Sequence, residues 1–265
     1  MGIIKGKFIV GPVGPVNFRV VNGKNIVSAK MAKGTMKQSK GTKKVGINFG
    51  IANRLSSQMM HCLGRPLGGF QDNKMFSRLS TRMSHVLYDA RNLTTGGYNL
   101  AIDSFGALAD FDFNTNSPLK LSLKSAPVIN LTNGLLRVQL NNLDNPKKIK
   151  HPINSKSCEI VVSLSLFRLK EALTIPQAEF QRLKLRRDQT AISTHEFNFA
   201  VPEGCLCIVA IHMYYYSHAD NYLSILNNKK FSPGSICTAY YIPGEYAATD
   251  GRKWFDISRL KVNTF

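Results

Sequence analysis

Residues 205–216 read CLCIVAIHMYYY. The stretch is a strand in a region of period two, and it follows a turn signal at Glu203-Gly204. Successive side chains on a strand face opposite ways, so three tyrosines in a row cannot share a face. Tyr215 is therefore expected to point away from Tyr214 and Tyr216, with one side of the strand in a core. Cys205 and Cys207 share a face, while His212 has the opposite parity. No second Cys or His pair completes a tetrahedral metal set, so these cysteines read as small core residues. Aromatic rings beside basic residues can stack on bases, but an interface role suits this run better.

Working outward, the same period recurs from about residue 98. Leu108 to Phe113, Leu119 to Leu123, Leu135 to Leu140, Glu159 to Phe167, Ile192 to Phe199 and Ile236 to Ile242 all read as strands. Asn133-Gly134, Asn145-Pro146 and Pro233-Gly234 supply turns between them. Regular short strands over residues 98–245 predict a β-sandwich, either one large sandwich or two small immunoglobulin-like ones. Residues 141–157 are then the candidate seam, and 246–265 form a C-terminal tail.

Upstream, residues 45–97 read as a helical pair. Val45, Phe49, Ala52, Met59 and Leu63 recur at helical spacing. Met75, Phe76, Leu79, Met83, Val86, Leu87 and Ala90 form a second stripe across 73–91. A Pro and three Gly in 64–69 break the two apart. Phe49, Leu79 and Met83 are expected to pack together. Lys74, Arg78 and Arg82, at i, i+4 and i+8, make a positive ridge along the second helix.

Residues 1–44 read as a basic arm. Val16 to Val21 alternates, Asn22-Gly23 is a type I′ turn signal, and Lys24 to Ala29 returns. The GPVGPV of 11–16 is a stiff, extended lead-in. Residues 30–44 (KMAKGTMKQSKGTKK) read as a flexible basic linker. The fold class is thus α+β: basic arm with hairpin, two helices, then a β-sandwich.

Charge is the strongest functional signal. Residues 1–71 contain no Asp or Glu and twelve Lys and Arg, which is +12 of the chain's +19. The remainder contributes 23 − 16 = +7. The isoelectric point is about 9.9. A block of one sign repels itself and points to a polyanion or an acidic protein surface. Lysines spaced by Gly, Ser and Thr can track phosphates without fixed backbone geometry. The candidate polyanion-binding residues are Lys30, Lys33, Lys37, Lys40, Lys43, Lys44, Arg54, Lys74, Arg78 and Arg82.

Other chemistries find less support. Gly34 to Thr42 lacks the spacing of a phosphate-binding loop, and there is no G-x-G-x-x-G. His61-Cys62 has no third ligand nearby in sequence. His218-Ala219-Asp220 lacks a G-x-S-x-G nucleophile elbow. Asp110 and Asp112 would face one side of a strand, with Phe111 and Phe113 on the other, as a solvated face opposite a buried one. No nucleophile–base pair, metal set or phosphate loop emerges, so the reading is a non-enzymatic protein without a cofactor.

No apolar run is long enough to span a bilayer. The interrupted N-terminus is a poor signal peptide, and Gly6 breaks the myristoylation pattern. Five scattered cysteines suit a reducing cytoplasm, with non-standard export or a virion left open.

The pattern formed by Gly11, Gly14, Phe18, Asn22, Gly23, Ile26 and Val27, followed by a Lys/Thr-rich run and a helix centred on Phe49, resembles a family of uncharacterised basic proteins from Bacteroidota-type bacteria. The resemblance covers roughly the first 60 residues. It implies an N-terminal Gly-rich hairpin, one or two helices and a β-rich C-terminal half, and it carries no enzyme activity.

The leading function is binding of nucleic acid or another polyanion through the acid-free region. The alternative is a self-assembling structural subunit of a filament, fibre or virion. There the arm or hairpin would add to a neighbour's sheet edge, with Phe18, Val20 and Ile26 setting register. A carbohydrate- or ligand-binding sandwich is a third class, since such sites leave little trace in one sequence.

Overall fold

The computed structural model describes residues 2–31, 39–92, 94–144, 148–187, 193–219, 222–245 and 251–257. The chain divides into two compact units, Met1–Gly46 and Ile47–Phe265.

The smaller unit holds an antiparallel sheet of β1 (Ile3–Lys5), β2 (Phe8–Val13), β3 (Val16–Val21) and β4 (Lys24–Ala29), in that order. Asn22 and Gly23 both have positive φ, at 50° and 74°, as the predicted type I′ turn requires. Gly11, with φ of 105°, marks where β2 changes partner: residues 8–10 pair with β1 and residues 11–13 with β3. Only glycine takes that conformation readily. The Asn25 carboxamide of β4 lies against the Ile9 main chain of β2, 3.0 Å from its carbonyl and 3.3 Å from its nitrogen. None of the described residues from 2 to 31 is buried.

Helix α1 (Lys40–Cys62) starts earlier than its apolar stripe predicts. Residues 40–44, read as flexible linker, are its first turn. Ser39 explains the early start, because its Oγ accepts the Thr42 N–H at 3.1 Å, an N-cap bond. The buried face is Asn48, Ile51, Ala52, Leu55, Ser56, Met59 and Cys62. Val45 and Phe49 are turned out to solvent, at 60% and 54% exposure. The expectation that Phe49 packs with Leu79 and Met83 is therefore corrected. Phe49 follows Asn48 and sits about 100° around the helix from it.

In the larger unit, α1 gives way to a single turn, α2 (Gly64–Leu67), and left-handed Gly68 and Gly69 end it. Helix α3 (Met75–Asp89) buries Met75, Leu79, Met83, Val86 and Leu87, as its stripe predicts. The strand expected over 108–113 is mostly absent. A 3-10 turn at Gly106–Leu108 leads to left-handed Asp110, and only β5 (Phe111–Asp112) is extended. The strand expected over 119–123 is instead a helical turn, α4 (Leu119–Ser122), whose first N–H bonds to Asp112 Oδ1 at 2.9 Å. Leu119 and Leu123 are buried while Leu121 is 55% exposed, so the apolar period there is four rather than two.

The remaining strands are β6 (Val128–Thr132), β7 (Leu135–Asn141), β8 (Ser157–Arg168), β9 (Leu173–Thr174), β10 (Glu179–Arg186), β11 (Thr194–Ala200), β12 (Cys205–Ala219), β13 (Tyr222–Ile225), β14 (Gly234–Ile242) and β15 (Phe255–Asp256). An eight-stranded sheet runs β15-β9-β8-β12-β14-β5, with β10 beside β8 and β13 beside β12. A three-stranded sheet runs β11-β7-β6.

The large sheet is the middle layer of three. On β12, Leu206, Ile208 and Ala210 join a core made with α1 and α3. Cys205, Cys207, Val209, Ile211, Met213 and Tyr215 face the other way, into a core with Leu136, Val138 and Leu140 of β7 and Phe197 and Phe199 of β11. Both faces of β8 and β12 are covered, which explains their near-continuous apolar sequences. The body is thus an α+β, sandwich-like fold in one unit rather than two immunoglobulin-like ones. Residues 141–157 link the small sheet to the large one.

Candidate anion-binding surfaces

The smaller unit concentrates the charge. Residues 1–46 carry ten Lys and Arg and no carboxylate. Lys5, Lys7, Arg19, Lys24 and Lys30 are exposed on or beside the sheet, and Lys40, Lys43 and Lys44 are exposed on the first turn of α1. That turn has no acidic residue. Cations there face the positive end of the helix dipole, an unfavourable placement. Lys33 and Lys37 lie outside the described residues. Arg54 is exposed further along α1, in the larger unit.

The ridge on α3 exists, but two of its members are engaged inside the fold. Lys74 is exposed. The Arg78 guanidinium donates to the Asp112 carbonyl at 2.9 Å and to Asp72 Oδ2 at 2.5 Å, and sits 4.8 Å from the Phe111 ring centre. Arg82 donates to the Ala109 carbonyl at 3.1 Å and lies 5.3 Å from the same ring. The two arginines thus clamp residues 107–112 onto α3. Burial opposes the Asp72 charge. The Thr115 and Lys74 main-chain N–H groups, with Arg78, outweigh it and hold the carboxyl below its ordinary value.

Of the assembly candidates, Phe18 is half-buried, while Val20 and Ile26 are 38% and 36% exposed. Ile3, Ile4, Ile9, Val13, Val21 and Val27 of the same sheet are exposed as well. So many apolar side chains without a buried one among them is unusual for a folded sheet.

Sequence reasoning missed one basic row. Arg182, Lys184 and Arg186 alternate along β10 with Leu183 and Leu185, which are buried. The cations therefore share the opposite face. The signal was present in QRLKLR at 181–186, a strand-period alternation. Beside the row lie Glu159 of β8 and Tyr216 of β12. Tyr214 and Tyr216 are half-buried and Tyr215 is fully buried, so the expected parity holds. Burial pushes the Tyr214 and Tyr216 hydroxyls up to about 12, with Glu159 adding to it in both.

The remaining candidates are structural in their surroundings. Cys205 and Cys207 are buried against the small sheet, and burial raises the Cys207 thiol well above its ordinary value. Cys62 is buried, 3.2 Å from the Ile175 carbonyl. Among the described residues, no group of His, Cys, Asp and Glu is placed to hold a metal ion. Asp220 lies outside the described residues, so the His218-Ala219-Asp220 motif has no geometry here. Asp110 and Asp112 line a groove with Lys120 and Lys124, while Phe111 and Phe113 are buried. Among the described residues, no helix is long and apolar enough to cross a membrane.

Fold and surfaces together define a three-layer α+β body with a separate, acid-free basic unit. Comparison with family models, with curated proteins and with solved structures finds no match.

Proposed function

We propose that this chain is a non-enzymatic polyanion-binding protein, with nucleic acid as the best-fitting partner. The observation that carries the reading is the compact Met1–Gly46 unit with ten cations and no carboxylate. Its described cations are all exposed. A field of one sign on so small a unit attracts a polyanion at long range and favours phosphate contacts without sequence preference. Phe8, half-buried with the Lys7 ammonium 5.5 Å from its ring centre, offers a base a stacking surface beside the cations.

The test is fluorescence anisotropy of a labelled single-stranded oligonucleotide against the full chain over a range of salt. Affinity is expected to fall steeply, linear in log–log form. Replacing Lys30, Lys33, Lys37, Lys40, Lys43 and Lys44 by Gln is expected to reduce the slope by up to roughly 4, at about 0.7 per neutralised charge. Circular dichroism of that variant should match the parent. Absence of binding to DNA and RNA alike, or binding that ignores salt, overturns the reading.

The second reading is self-assembly through the smaller unit. The exposed apolar residues of β1 to β4, in a sheet without a buried residue, favour it.

A further inference from the structure

We propose that a cavity over one end of the large sheet binds a small phosphate-bearing molecule that also carries hydroxyl or amino groups, such as a nucleotide or a sugar phosphate. The cavity is made by the larger unit alone and shares no residue with the N-terminal surface. Its volume is about 490 Å³, in the range of small-molecule sites. Two opposite chemistries line it.

The floor is Glu159. Its side chain is only 3% exposed. Burying a carboxylate is costly unless its acceptor capacity is used. The Tyr216 hydroxyl donates to Oε2 at 3.0 Å. Arg182 reaches both oxygens, but at 3.4 Å, which is long for a charge-assisted bond. A carboxylate offers about four lone-pair positions. Those three bonds leave about one position for a donor from a ligand, and a hydroxyl or amino group supplies it.

The wall is β10. Arg182, Lys184 and Arg186 recur every second residue, about 6.8 Å apart. Arg182, half-exposed, leans on Glu159. Lys184 and Arg186 continue the row toward the Ser157 end, since Arg186 pairs with Ser157 and Lys184 with Glu159. The lining holds three basic side chains and one carboxylate, a composition that suits an anion. Its negative group belongs between Lys184 and Arg186, on the Ser157 side of Glu159. An uncharged donor edge then falls over the carboxylate. The half-buried Tyr216 ring, level with Ser157 and Arg186, and Leu223, 61% exposed, give a flat and an apolar surface at the Arg186 end. A bare polyanion has no use for a buried glutamate, and a bare sugar has no use for the cationic row. The combination selects a ligand with both parts.

The test is isothermal titration calorimetry on the full chain with guanosine monophosphate, ribose 5-phosphate, unphosphorylated guanosine and inorganic phosphate as probes. Binding of one or both organic phosphates is expected, and their ranking separates a nucleotide from a sugar phosphate. The double change Lys184→Gln with Arg186→Gln, both at exposed positions, is expected to weaken that binding at least about tenfold. Glu159→Gln is expected to weaken the organic phosphate about tenfold and to leave inorganic phosphate unchanged, the size of a lost bond to a charged group. The six-lysine variant of the N-terminal unit should bind these probes like the parent, so failure here and failure of the polyanion reading are separable. Three results overturn the proposal: no organic phosphate binds at millimolar concentration, inorganic phosphate binds as tightly as the organic probes, or the loss follows the N-terminal lysines instead of Lys184 and Arg186. If Glu159→Gln does not fold, the surface double variant still decides.

Discussion

His212 sits between two rings, 5.9 Å from Phe113 and 5.0 Å from Tyr214, with Nε2 3.1 Å from Ser232 Oγ and Nδ1 without a hydrogen bond. A Cβ at residue 234 would stand 2.7 Å from Nδ1 and 2.9 Å from the Phe113 ring, so glycine there is a matter of space. Burial lowers the imidazole from its ordinary 6.5 to about 3. The unfolded chain takes up a proton near pH 6.5 and the folded chain does not. Stability is therefore full above that pH and falls as pH drops toward 3. From about pH 7 to about pH 5, this residue alone is expected to cost about 2 kcal/mol. His151, also lowered by burial and by Arg187, adds in the same direction. Urea unfolding at the two pH values measures the loss, and His212→Gln should remove most of it. An unchanged midpoint in the parent would mean that the imidazole titrates normally. The sequence placed His212 opposite Cys205 and Cys207, because parity on a strand is legible. Its enclosure was not, since Phe113, Ser232 and Gly234 reach it from elsewhere in the chain.

At the scale of elements, β8 and β12 were readable as long apolar runs and α3 as a helical stripe, whereas β6 and β10 were missed. Leu79 and Met83 are fully buried, and truncating either to Ala is expected to cost about 2–5 kcal/mol. Phe49→Ala is expected to stay within about 0.5 kcal/mol, as for an exposed position. Thermal melts of the three variants separate the cases. A large loss from Phe49→Ala would return that ring to the core. Each misreading has a local cause. Five residues of LKLSL fit a strand or a helical turn equally, and Pro118 with the Asp112 acceptor decides for the turn. Lys40 to Lys44 read as linker because a run of like charge hides a helix whose cap is a single serine. The stripe through Val45 and Phe49 is really that of Asn48, Ile51 and Leu55. Asn48 is buried because its amide donates to the Ser84 carbonyl and its oxygen accepts the Tyr98 hydroxyl, both at 3.0 Å. A polar residue that seats one helix on another does not look like core in a sequence.

At the scale of the whole molecule, the two units differ in what holds them. The larger has a double core on either side of one sheet. The smaller has a four-stranded sheet with no buried residue among those described. Its exposed Ile3, Ile4, Val13, Val21 and Val27 recover hydrophobic stabilisation only when something covers them. Its charge was legible in the sequence as a missing residue type. Its lack of a core was not, because Ile, Val and Phe alternate there as they would in a buried strand. If copies of the chain supply the cover, head-to-tail repetition gives a filament and a closing rotation gives a ring. Deleting residues 1–30 is then expected to abolish any oligomer seen by light scattering, while the circular dichroism and melting of the β-rich body persist. The deletion leaves Lys33 to Lys44 in place, so salt-dependent oligonucleotide binding should weaken without vanishing. A truncated chain that assembles as well as the parent rules out the sheet as connector. A truncated chain that loses assembly but keeps oligonucleotide affinity would assign the apolar sheet to contacts between copies and the phosphate contacts to the lysines that follow it.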